Sequence, residues 1–89
     1  MTYTYEQVLA YEVARELINS HIADCSAVLG EEEEKAEPDH ARIEHAHRKM
    51  DALFHEREQM ELTDDAAVSA ITAKYRRGPR VGPSPQARV

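Results

Sequence analysis

Apolar residues recur at spacings of three and four along the N-terminal part of the chain. They are Val8, Tyr11, Ala14, Ile18, Ile22, Cys25 and Leu29, with Leu17 and Val28 widening the line. That repeat puts them on one side of a helix and predicts a helix over residues 5–29. Thr4 suits the N-cap, Glu6 suits the positive end of the helix, and Gly30 is a natural stop. About 25 residues make a rod of roughly 37 Å.

The run "EEEEKAEP" follows, and Pro38 disfavours helix at Glu37. A block of like charges resists compaction, so residues 31–38 read either as a solvated linker or as a frayed extension of the first helix. A second helix is predicted over 39–61, with Asp39 as N-cap and Ile43, Ala46, Met50, Leu53, Phe54 and Met60 on its apolar side. Arg57 interrupts that side and is expected to lay its stem on the seam with its head in water. A third helix is predicted over 64–77, capped by Thr63, with Asp64 and Asp65 at its positive end. Ala67, Val68, Ile71 and Tyr75 face inward, Arg76 and Arg77 suit the negative end, Gly78 stops it, and Pro79 prevents resumption. The remainder, rich in Pro and Gly, is expected to be disordered.

The fold class expected is therefore all-α. It is a small antiparallel bundle of three helices, two long and one short, over residues 1–78, with a disordered Pro/Gly/Arg tail at 79–89. Composition agrees. The chain has 89 residues, no Trp, one Phe and three Gly, two of them near the C-terminus, which leaves little turn chemistry for hairpins. A domain of this size buries only about 60–65 % of its unfolded surface, so a partner adds much to it. The single cysteine, Cys25, excludes an internal disulfide and fits a reducing compartment. No apolar run is long enough to span a membrane, and the N-terminus lacks a secretion pattern. A cytoplasmic protein of bacterial type is expected.

The net charge of −6 conceals an asymmetry. All five charged residues from Lys74 onward are basic, so residues 1–73 carry a net −11. An acidic body matches a basic protein surface or anion-binding cleft better than nucleic acid. The basic end "KYRRGPR" is read as dipole-compensating cations and a soluble tail rather than a nucleic-acid footprint. His40, His47, Asp51 and His55, with Glu44 among them, share a side of the second helix, but one helix alone closes a metal site poorly. They are read as a polar outer face, with no metal. Cys25 lies on the apolar line, where a thiol acts as a small hydrophobe. The serines lack a Gly-x-Ser-x-Gly context and no Gly-rich phosphate loop occurs. No catalytic residue, cofactor or small-molecule substrate is expected, and the chain is read as not an enzyme.

The first helix has a second face. At about 100° per residue, Tyr5, Leu9, Glu12 and Glu16 fall within roughly a 60° arc opposite Val8, Tyr11, Ala14 and Ile18. One reading is a solvated face with a stray Tyr and Leu. The other is a docking face, because two carboxylates at i, i+4 repel each other unless a cationic partner meets them.

The same stretch, "TYEQVLAYEVARELINS", resembles the N-terminal helix of the epsilon antitoxins, partners of the zeta toxins. The matching positions are Thr4, Tyr5, Glu6, Leu9, Glu12, Glu16, Leu17 and Ser20. The resemblance covers the first helix; the other two match in order and rough length only. The His-rich second helix, the Glu31–Glu34 run and the Pro-rich tail depart from it.

The resemblance implies a small acidic three-helix protein that lays its first helix over the ATP site of a zeta-type toxin. That toxin is a P-loop kinase acting on a UDP-N-acetylglucosamine-type sugar nucleotide. Tyr5 and Leu9 would enter the mouth of the site, and Glu12 and Glu16 would face the cations that hold phosphate. Complexes of this kind are often heterotetramers of two antitoxins and two toxins. The alternative is a self-associating structural or chaperone-like helical module without a kinase partner.

Overall fold

Capping residues mark out the helices of a computed structural model that describes residues 2–76. They are α1 (Tyr5–Glu33), α2 (His40–Gln59) and α3 (Asp65–Tyr75). No strand occurs among the described residues, so the all-α architecture of two long helices and one short one is what forms. The expected Gly78 stop, the role given to Arg77 and the tail at 79–89 lie outside the described residues.

Thr4 opens α1 through a reciprocal capping box. Its Oγ1 accepts from Gln7 N at 3.1 Å, and its own N–H donates to Gln7 Oε1 at 2.8 Å. The helix does not stop at Gly30. It runs through Gly30 to Glu33, so three of the eight residues of the expected linker are helical. The reason lies in Glu32. Its carboxylate is fully covered and accepts from Lys35 Nζ at 2.6 Å, from Asp39 N at 2.8 Å and from the Arg42 guanidinium. The bonds from Lys35, the Asp39 backbone and Arg42 hold its pKa down at about 2. The cover is thin, because Lys35 and Arg42 themselves face water. Satisfying this carboxylate requires one more helical turn than glycine would otherwise favour.

Asp39 caps α2 as expected, accepting from Ala41 N and Arg42 N at 3.1 and 3.2 Å. The helix ends at Gln59, earlier than expected, because Met60 turns to extended backbone and puts its side chain into the core. Asp64, not Thr63, caps α3, and its carboxylate accepts from Ala67 N at 3.0 Å. A charged cap at the positive helix end gains from the dipole as well as the hydrogen bond.

The central element is α1, against which both other helices pack. Ala14, Ile18, Cys25, Ala46, Leu53, Met60 and Val68 form the buried core. Burying Ile18 and Leu53 outright contributes about 1.5–3 kcal/mol each. Bonds at both ends of α2 set its direction. Its N-cap meets Glu32, and Arg57 Nη1 donates to Asn19 Oδ1 at 2.5 Å, so α2 runs antiparallel to α1. Arg57 also lies over the Phe54 ring at 5.1 Å, so its head is partnered by protein rather than left to water. The direction of α3 is the reverse. Gln7 Nε2 donates to Asp65 Oδ1 at 2.9 Å at its start, and His21 Nε2 lies 3.0 Å from the Tyr75 carbonyl oxygen at its end. It thus runs parallel to the N-terminal part of α1. Glu56 ties α2 to α3, accepting from Lys74 Nζ at 2.9 Å and from the Tyr75 hydroxyl. Burial raises the Glu56 pKa, but the bonds from Tyr75 and Lys74 outweigh it and hold the carboxyl below its usual range.

Candidate functional site

The capping box at Thr4 fixes the phase of α1 from its first residue. Once Ala14 and Ile18 turn fully inward, the residues half a turn away must face water. Tyr5 is 73 % exposed and Leu9 47 %, and Glu12 and Glu16 are exposed. All four residues singled out in the sequence therefore stand outside the core.

Leu9, Glu12 and Glu16 come together along one shallow depression of about 350 Å³. Tyr5 stands one turn before it and does not line it. Two further side chains complete the depression, Val13, itself 51 % exposed, and Leu17. Val13 is not among the residues that the apolar line marks, and Leu17, which widens that line, is only half-buried. The angular repeat carries a signal for Val13, since it lies only about 40° from Leu9 around the helix. Tyr3, 42 % exposed, adds an aromatic ring just before the cap.

Among the described residues, the carboxylates of this face are not neutralised by the chain's own cations, whereas four others are. Glu31 and Glu32 are paired with Arg42, Glu44 with Arg48, and Glu56 with Lys74. Neither Glu12 nor Glu16 takes part in an ion pair among the described residues. An apolar strip with two unneutralised carboxylates one turn apart can accept hydrogen bonds from a cationic surface while covering an apolar one.

A larger cleft adjoins this face. It has a volume of about 480 Å³, lies between the N-terminal halves of α1 and α3, and shares Val13 with the depression. Elsewhere the chemistry is sparse. Cys25 is a free thiol, 5 % exposed, packed in the core. Among the described residues no three of His, Cys, Asp and Glu converge to hold a metal ion, and no helix is long and apolar enough to cross a membrane.

Comparison of the chain with family models, curated proteins and solved structures finds no match.

Proposed function

We propose that this chain is an antitoxin of the epsilon type, a cytoplasmic protein that neutralises a zeta-type P-loop kinase by laying α1 over the kinase's ATP site. One observation carries the reading. Tyr5, Leu9, Glu12 and Glu16, four of the eight residues that make the helix start resemble an epsilon antitoxin, form an exposed strip that the bundle does not use.

The chemistry is direct. A P-loop site gathers backbone N–H groups, a helix N-terminus, Lys and Arg to hold phosphate. Glu12 and Glu16 occupy it as phosphate substitutes, each taking charge-assisted bonds from those cations. Tyr5 brings a flat apolar body and a hydroxyl tip, which suits an interface anchor. The net −11 of residues 1–73 steers association toward a basic cleft rim. ATP is excluded because its phosphates and the carboxylates compete for one set of donors.

The test is co-expression with a zeta-type kinase, first of all one encoded in the neighbouring reading frame. The reading expects the pair to co-purify and the complex to bind no ATP. It also expects the combined change Tyr5→Ala, Glu12→Gln, Glu16→Gln to release toxicity while the chain stays helical. Full protection by that triple variant removes the assigned face. A tight homo-oligomer that buries Tyr5 and Leu9 in itself supports the self-associating module instead.

A further inference from the structure

Four side chains along one helix cover little surface, whereas a specific protein interface buries about 800 Å² on each partner. The cleft between α1 and α3 lies where the missing area is needed. Its apolar wall is Ala10, Val13, Leu62 and Val68, and Glu6 and Asp65 are its charged residues. Val68 is buried at its base, and Val13 belongs both to this wall and to the depression beside Leu9. A partner that covers the outer strip therefore reaches the cleft without leaving contact with α1. No basic residue lines the cleft among the described residues, so its two carboxylates have no cation within it, although Asp65 Oδ1 already accepts from Gln7 Nε2. A volume of about 480 Å³ lies within the ~300–1,000 Å³ of ordinary binding clefts.

We propose that this cleft is a second anchoring site for the same partner, and that it takes an apolar side chain flanked by a lysine or arginine of the partner. The inference rests on the antitoxin reading and extends it from one helix face to a two-helix surface. The apolar side chain fills the wall formed by Ala10, Val13, Leu62 and Val68. The neighbouring cation meets Glu6 and Asp65. Such a paired contact gives register as well as affinity, because the carboxylates reject a partner that presents an acidic residue there.

The test measures the affinity of the full chain for a zeta-type kinase by titration calorimetry. Ser69 is exposed on α3 and lines the cleft, so Ser69→Trp fills it without disturbing the core. Glu6→Lys reverses the charge of one carboxylate at an exposed first-turn position. Each is expected to weaken binding by at least about tenfold, the scale of losing one interface anchor, with helicity retained by circular dichroism. If Ser69→Trp does not fold, Glu6→Lys decides alone. Binding by both within about twofold of the wild type, a difference far below one anchor, overturns the cleft site. If the Tyr5, Glu12, Glu16 triple variant loses binding in that same experiment, the antitoxin reading stands without the cleft. If the wild-type chain does not bind the kinase, both fall together.

Discussion

Glu32 and Arg42 each occupy the unfavourable end of their own helix, and each is held there by the other. Glu32 lies in the last turn of α1, where the dipole is negative, and Arg42 lies in the first turn of α2, where it is positive. The bond between them, the Lys35 and Asp39 bonds to Glu32, and the 3.1 Å pair of Arg42 with Glu31 offset both penalties. The α1–α2 turn is therefore set by side-chain chemistry as much as by Pro38.

This pair gives the bundle an acid limit. The folded-state pKa of Glu32 is about 2 against an ordinary 4.5, so the fold prefers the ionised form. A lowered carboxyl pKa contributes stability that is complete above the unfolded value and is lost as pH falls from about 4.5 toward 2. Glu32→Gln is expected to lower the melting temperature at neutral pH and to flatten its decline across that acid window. Equal slopes for variant and wild type would show that Glu32 is not the controlling group.

Gly30 offers the opposite effect. It sits inside α1, exposed, and a Cβ added there meets no atom within 4 Å. Gly30→Ala is expected to stabilise the chain by about 0.5–1 kcal/mol, chiefly by restricting the unfolded state. In a domain of this size that raises the melting temperature by roughly 2–8 °C. A lower melting temperature would mean that α1 needs a break at this point.

Leu53 and Leu9 should separate stability from recognition. Leu53 is 1 % exposed in the core, and Leu53→Ala is expected to cost about 2–5 kcal/mol in urea unfolding. Leu9 is 47 % exposed, and Leu9→Ala should change stability by no more than about 0.5 kcal/mol while weakening kinase binding. A large stability loss at Leu9 would return that residue to the core.

Gln7 performs two tasks that two substitutions divide. Gln7→Glu keeps an acceptor for the Thr4 N–H but loses the donor to Asp65 and sets two carboxylates together; Gln7→Ala loses both bonds. Each lost bond is worth about 0.5–1.5 kcal/mol. Both variants are expected to be destabilised, with amide exchange faster at the start of α3. Unchanged exchange there would mean that the Asp65 bond does not hold α3 in place.

The residues that were legible in the sequence are those governed by period. Ala14, Ile18 and Cys25 fall on a 3.6-residue line, and so does the outer strip from Tyr5 to Glu16. Features that need three-dimensional convergence were not. Glu32 is one of four identical letters, and only the turn at Asp39 brings three donors to it rather than to its neighbours. Gly30 carries a stop signal that this carboxylate overrides. Thr63 and Asp64 are adjacent candidates for one cap, and the carboxylate takes it. Thr4 was legible as a cap, but its partner Gln7 was missed although Thr-x-x-Gln is a capping-box pattern, and the Gln7–Asp65 bond has no local signal. The cleft depends on how α3 docks, which no local pattern encodes.

The Gln7–Asp65 and His21–Tyr75 contacts join residues 58 and 54 positions apart. By contrast, the α1–α2 hairpin closes through residues ten or fewer apart at Glu32. Short loops cost less entropy to close, so the hairpin is expected to form before α3 docks. On the ribosome, where the chain grows at about 5–20 residues per second, α1 emerges before α3 and its beginning waits for that partner. The strip from Tyr5 to Glu16 is thus made before α3, and the cleft beside it exists only once α3 has docked.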